Sequence, residues 1–383
     1  MQKKLIALAV ASLVSGGAFA QSSVTIFGIV DVAVQSGKFS DAAGSLTRMI
    51  PSGNNTNRIG FRGTEDLGNG MSANFLLEAQ PNPDNGTAAV GANVASVQAN
   101  AASGASQFWN RSSTVGLSGK TWGSVNLGRQ YTPWFNATAA NDVFWVAGAG
   151  SSYTLQAGDT RMNNSIRYDS VNMNGFTAAI MYGFGQDGDT TGIEGTTATY
   201  KNLGKQMGLK LSYANGPISL NYGYDKQKTA VVRAAAAATA AVGGAIGTGA
   251  LAAVASDVNV TRNQLNGSYD FKVVKVGLGW NTNKASNATL DDRVWTVTAI
   301  APVFGKDAVK FGYTRLNNKL ISSCDATLIA IGYEHPMSKR TTLYGTYAKM
   351  TNDALQAKTF LTGAAVAAGF DPSAWEFGVK HAF

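Results

Sequence analysis

Two histidines, His335 and His381, and a single cysteine, Cys324, are the only side chains in this 383-residue chain suited to activating a nucleophile or binding a soft metal. Ser-His-Asp chemistry needs a histidine held beside a serine. His335 precedes Pro336 in what reads as a turn, and His381 falls in the aromatic strand WEFGVKHAF. Two histidines so separated make a poor metal site, and one cysteine allows neither an internal disulfide nor a thiolate cluster. The glycine-rich piece GGAIGTG lacks the lysine and the strand-to-helix setting of a phosphate loop. No catalytic residue, metal site or cofactor is expected. What remains is arginine: Arg58 and Arg62 share one face of NRIGFRG, and Arg167 lies in SIRYDS. Guanidinium groups held in a row attract and orient anions without transforming them.

Those arginines must be positioned by strands. In NRIGFRGTEDLGNGMSANFLLEAQ, Ile59 and Phe61 alternate with Arg58, Gly60 and Arg62, while Met71, Ala73, Phe75 and Leu77 alternate with Ser72, Asn74, Leu76 and Glu78. Two period-two arms around DLGNG make a β-hairpin, apolar on one face and charged on the other. Sixteen such segments follow one another, starting near Val24, Arg58, Met71, Ser112, Gly123, Asn163, Phe176, Lys205, Ile218, Thr261, Val273, Arg293, Ala308, Thr327, Thr341 and Trp375. Seven short connectors, among them DLGNG, SGKTW and NGP, alternate with eight mostly long ones. The long ones are Lys38 to Thr56, Pro81 to Asn110, Tyr131 to Met162, Gln186 to Gly204, Lys226 to Val260, Asn283 to Leu290, Asn317 to Asp325 and Thr351 to Ala374. Strict alternation places every long loop at one end of an up-and-down array. This is the pattern of an all-β, sixteen-stranded antiparallel transmembrane barrel with short periplasmic turns and long extracellular loops. Turning the arginine face to hydrocarbon would cost roughly 2 to 4 kcal/mol per arginine near the midplane, so the apolar face meets lipid and the arginines meet water.

Composition agrees. Lys3 and Lys4 precede an apolar run to Val14, and Ala18-Phe19-Ala20 suits cleavage before Gln21. Residues 1-20 therefore read as a signal peptide, and 21-383 as one exported barrel domain. Of 31 Lys and Arg, two leave with the leader, and the 29 that remain against 23 Asp and Glu give a formal charge of +6. The basic residues are scattered rather than clustered, so no nucleic-acid partner is expected. From Ala234 to Ser256 the chain is uncharged and long enough to cross lipid, but Ala, Gly and Thr give it little transfer energy. It reads as a low-complexity surface loop, with its conformation (residues 229-256) open.

The starting strand SVTIFGIVDVAV, the hairpin above, the pair STVGLSGKTWGSVNLGRQYTP, the strand NNSIRYDS and the aromatic end strand together resemble the general-diffusion porins of Gram-negative bacteria, nearest to the β-proteobacterial group. The resemblance spans the mature chain. It implies a homotrimer in the outer membrane, passing small hydrophilic solutes and inorganic ions passively. It also implies that Phe383 serves as the signal read by the barrel-assembly machinery, and that the first strands, with the loop Pro81 to Asn110 as a latch, make the trimer contacts. In that family the third long loop folds into the lumen opposite a basic wall. Here that loop is Tyr131 to Met162, and its Trp134, Phe135, Phe144 and Trp145 are apolar enough to be expected to pack against the wall. The basic wall carried over is Arg58, Arg129 and Arg167, with Arg62 on the face of Arg58. Strand parity leaves Arg129 undecided, because Val125 and Leu127 share its parity, so a bulge or the resemblance must decide. Asp142 and Asp159 are the only acids in the loop, with Arg161 beside them. Four inward arginines against two acids point to an anion preference, which lumenal Glu78 and Asp31 would blunt. An aromatic track for sugars along Trp134, Phe144 and Trp145, and a plugged adhesive barrel, are the competing readings.

Overall fold

Side-chain alternation in the computed structural model settles which face looks outward. In the strand Ser373–Ala382, Trp375 and Phe377 are 51% and 60% exposed, while the intervening Glu376 is fully buried. The same alternation runs through Ala326–Pro336, where Ile329 and Ile331 are exposed and Leu328 and Ala330 buried. An apolar exterior around a polar interior is stable only if lipid wets the outside. The structure describes residues 23–40, 44–88, 108–156, 158–185, 204–229 and 258–383. The leader 1-20 and the Ala-rich stretch 234–256 lie outside the described residues.

Seventeen of the described strands form one antiparallel sheet, closed where Ser23–Lys38 pairs with Ser373–Ala382, and Pro81–Asn82 pairs with Thr87–Ala88 in a separate short hairpin. Sixteen of them begin within three residues of the starts expected from periodicity. The connectors alternate as expected, the shortest being tight hairpins. At Asn69-Gly70 both residues have positive φ, 52° and 75°, as a primed two-residue turn requires. The seam is sealed by reciprocal backbone hydrogen bonds of 3.1 Å between Gly28 and Phe383. Gly28 is needed there, since a Cβ would lie 2.3 Å from the Phe383 ring.

The seventeenth strand, Ser45–Pro51, corrects the reading of Lys38 to Thr56 as loop throughout. The 16-residue Ser23–Lys38 is long enough to serve two partners: residues 23–29 pair with Arg58–Thr64, and residues 32–38 pair with Ser45–Pro51. The circumference therefore stays at sixteen. Between the two short strands, residues 52–57 leave the wall because Asp31 offers them a better set of acceptors than the ladder does. Its carboxylate accepts from the backbone N–H groups of Gly53, Asn54 and Asn55, and from the Tyr344 hydroxyl. The Asn57 side chain bridges back to the Asp31 backbone in both directions. The excursion points into the lumen, where it meets the third long loop.

Candidate functional site in the barrel lumen

The third long loop is built to cross the lumen. Thr132 caps the helix Pro133–Ala139 by accepting from the Phe135 N–H at 3.1 Å, and Pro133 at its first position has no N–H to leave unsatisfied. The helix lies on the inner faces of the strands Gln206–Asn215, Ile218–Thr229 and Val258–Asp270. It comes that close because the wall carries glycine beneath it: a Cβ on Gly223 would sit 2.7 Å from that of Ala137. Asn266 donates to the Ala137 carbonyl at 2.6 Å, and Trp134 is completely buried. Further along, Phe144 fills the space over Gly312 and Gly332 on the far wall. The tip is then fixed on both sides. Gly148 N–H donates to the Ser52 carbonyl at 3.1 Å, and Ala149 N–H donates to the Glu376 carboxylate at 3.0 Å.

Gly148 has φ +63°, and a Cβ there would lie 2.0 Å from the Gly53 carbonyl oxygen and 2.7 Å from Glu376. Gly148→Ala is expected to push the loop tip off the excursion at a cost of about 2 to 3 kcal/mol. The measurement is the midpoint of heat-induced unfolding in detergent, and an unchanged midpoint would refute the contact.

Of the four loop aromatics, Trp134, Phe135 and Phe144 are buried, and Trp145 is the correction, being 52% exposed. Trp145 and Val146 both adopt left-handed backbone conformations, φ +57° and +54°, so the chain reverses directly after buried Phe144 and the indole is turned out of the packed layer. It borders a cavity of about 140 Å³ that it shares with Arg58, Arg111, Arg161, Tyr131 and Phe135.

The electrostatics of that cavity are set by which guanidinium groups are compensated. Arg111 is buried and ion-paired with Glu78. Arg58 donates instead to the Thr56 carbonyl at 3.1 Å and to the Asn55 side chain. Arg161 donates to the Tyr131 hydroxyl at 2.7 Å and lies 4.4 Å from the centroid of that ring, which also stacks on Phe135. Among the described residues neither Arg58 nor Arg161 has a carboxylate partner, so two net positive charges border the cavity.

The other expected wall residues are distributed differently. Arg62 sits over the Phe27 ring at 5.2 Å, four residues toward the short turns from Arg58, and is absent from the cavity. Arg167 lies on the inner face but is neutralised by Asp169 and donates to the Tyr131 carbonyl. For Arg129 the strand register shifts between Gly128 and Gln130, so the parity of Val125 and Leu127 does not carry through. Its guanidinium is held by the Asn110 carbonyl at 2.8 Å and by Asn163.

Neither loop acid faces the cavity. Asp159 is 2% exposed, and its carbonyl accepts from the Thr132 hydroxyl. Asp142 is buried beneath the tip, accepting from the Ser151 and Ser152 hydroxyls and the Phe144 N–H. Burial pushes its carboxyl above the usual range. A raised folded-state value means that the stability it contributes is present below about pH 3.8 and is lost as pH rises past its folded value. Asp142→Asn is accordingly expected to leave ion selectivity within about twofold, because a charge screened by hydrogen-bond donors and turned from the pore does little to its field. A change of sign in the reversal potential of this variant would contradict the placement.

Residue reasoning missed Arg111, Tyr131 and Lys310. Lys310 is 1% exposed, ion-paired with Glu334, and donates to Asn54 of the excursion. Arg111 had a signal: Asn110-Arg111 repeats the Asn57-Arg58 pair at the loop end of a strand, and both asparagines anchor neighbouring backbone. Both histidines have structural partners, His335 with Asp307 at 2.8 Å and His381 with Thr341 at 2.9 Å.

A closed barrel with an apolar exterior, its lumen crossed by an anchored loop beside uncompensated arginines, defines a channel protein of the outer-membrane type. The chain belongs to the Gram-negative porins, whose family profile matches residues 7–355. It is 35% identical over 404 aligned positions to outer membrane porin protein 32 of Delftia acidovorans, with complete coverage of both chains. It is 28% identical to an outer membrane porin protein of Bordetella pertussis, with 91% of this chain and 94% of that one covered. Among solved structures it is similar to an anion-selective porin from Comamonas acidovorans, at 31% identity, TM-score 0.75, and 95% and 100% coverage. OmpT of Vibrio cholerae shares the fold at 16% identity, with a TM-score of 0.66 and 94% and 99% coverage. The protein is located in the outer membrane of a Gram-negative bacterium.

Proposed function

We propose that this porin lets small hydrophilic solutes and inorganic ions diffuse passively across the outer membrane with a preference for anions, as a homotrimer that turns nothing over and needs no cofactor. The observation that carries the preference is the pair Arg58 and Arg161, which border the lumenal cavity without carboxylate partners among the described residues, while Asp142 and Asp159 are buried away from it. Fixed positive charge at a narrow point raises the local concentration of anions and lowers that of cations. The similarity to an anion-selective porin supports the same sign. The constriction is then formed by Arg58, Arg111 and Arg161 with Tyr131 and Trp145, and Arg62, Arg129 and Arg167 act from outside its narrowest part. Export uses the leader 1-20, and Phe383, which seals the seam against Gly28, is the element the assembly machinery recognises.

The test is the zero-current potential of the refolded protein in a planar bilayer with a potassium chloride gradient. Its sign is expected to report chloride as the more permeant ion, and a potassium-selective sign overturns the proposal. The absence of any channel would favour an adhesive barrel.

A further inference from the structure

Trp145 is placed at a cost and then left uncovered, which packing alone does not explain. Trp145 and Val146 both take left-handed backbone conformations, φ +57° and +54°. That region is unfavourable for a large or β-branched side chain, and strain of this kind persists where neighbouring structure imposes it, as at ligand clamps. The imposing contacts are the Trp145 N–H donating to the Asp142 carbonyl and the Ala147 N–H donating to the Phe144 carbonyl, each at 3.1 Å. Lys310 then steadies the ring. Its ammonium lies 5.8 Å from the indole centroid and is itself held by Glu334 and, at 3.2 Å, by Asn54. With all these contacts made, Trp145 is still 52% exposed. The fold thus holds a large, flat apolar surface in place beside the pore.

The cavity that Trp145 borders is lined by two kinds of side chain. Arg58, Arg111 and Arg161 bring guanidinium groups, while Trp145, Phe135 and Leu361 bring apolar surface. Arg111 is neutralised by Glu78, and Arg58 and Arg161 have no carboxylate partner among the described residues. The other aromatic rings are already engaged. Tyr131 stacks on Phe135 at 5.2 Å between centroids, and Phe135 also meets Tyr153 edge-on at 5.3 Å. Trp145 is the ring left without an aromatic partner among the described residues. The volume of about 140 Å³ is close to the roughly 150 Å³ at which an apolar cavity takes up a benzene-sized ring. Chloride or acetate would satisfy the guanidinium groups and leave the indole in water. A carboxylate carried on a flat ring uses both kinds of lining at once.

We propose that Trp145 is a stacking platform that makes the constriction bind aromatic carboxylates in preference to aliphatic anions of the same charge, Arg58 and Arg161 taking the carboxylate and the indole taking the ring. This rests on the anion preference argued above and adds a chemical class to it. Stacking of two aromatic faces adds to the burial that any six-carbon ring would gain, and so separates an aromatic anion from a saturated one.

The probe is benzoate, added to the refolded protein in a planar bilayer at neutral pH, and binding is read as the concentration that halves the single-channel chloride current. Benzoate is expected to act at about one-fifth the concentration of cyclohexanecarboxylate, which has the same charge on a saturated ring. In Trp145→Leu that ratio should fall to about one, and in Trp145→Phe, which keeps an aromatic face, most of it should remain. The comparison within the parent needs no variant to refold. A parent ratio near one, a ratio that survives in Trp145→Leu, or block by uncharged benzyl alcohol at the benzoate concentration would each overturn the proposal. The zero-current potential of the same channels reads the anion preference separately, so an anion-selective channel that does not tell the two carboxylates apart would sink this inference alone.

Discussion

Replacing Arg58 and Arg161 together by glutamine is expected to lower the anion-to-cation permeability ratio by about tenfold in dilute salt. An ion passing about 7 Å from one guanidinium in water feels about 0.6 kcal/mol, favourable for an anion and unfavourable for a cation. One charge thus changes the ratio by a factor of about 7 to 8 before screening. Mobile ions reduce this, since the Debye length is about 10 Å at 0.1 M salt and about 3 Å at 1 M, so the effect should shrink as salt is raised. The zero-current potential measured at several ionic strengths reads it. Arg62→Gln is the internal control, with almost no effect expected from its place over Phe27, away from the cavity. An unchanged ratio in the double variant, or an equal loss in the control, would show that selectivity is set elsewhere. Arg111 is left intact by design, because removing it would strand Glu78 as an unpaired buried carboxylate.

Asp31→Ala should be the most destabilising single change in the lumen, by about 3 to 5 kcal/mol. Asp31 is completely buried and is the common acceptor for three consecutive backbone N–H groups, at 3.2, 3.0 and 2.6 Å, and for the Tyr344 hydroxyl. Alanine leaves all four donors buried without that acceptor. Tyr344→Phe removes one donor and keeps the carboxylate, so about 1 kcal/mol is expected. The consequence extends to the pore, because the excursion that Asp31 gathers supplies the Ser52 carbonyl to Gly148 at the loop tip, and its Asn55 steadies Arg58. Guanidinium unfolding should show the midpoint shift, and single-channel records of Asp31→Ala should show added current noise from a loosened tip. A variant as stable and as quiet as the parent would mean that the excursion is held by its strands alone.

Strand positions were legible in the residues because period-two alternation and turn chemistry are local properties. The same locality explains where reading stopped. Arg58 and Arg167 face inward by parity, yet parity says nothing about height or partners: Arg62 has the right face at the wrong level, and Arg167 is neutralised by Asp169. Arg129 follows a register shift that no alternation rule anticipates. Counting Asp142 and Asp159 as loop acids gave the right number of charges, but folding buried them. Trp145 looked like a packing residue until two successive left-handed residues turned it outward.

By itself, the amino-acid sequence determined that this protein is a sixteen-strand lipid-wetted barrel with arginine on the inside, because each strand's two faces are written in neighbouring side chains. Which arginines keep a naked charge, and where the third loop is pinned, was decided only in the tertiary structure. Those outcomes depend on partners separated in the sequence and joined by the fold: Asp31 with Asn54 and Glu78 with Arg111 on neighbouring segments of the wall, and Glu376 on the wall with Ala149 at the loop tip.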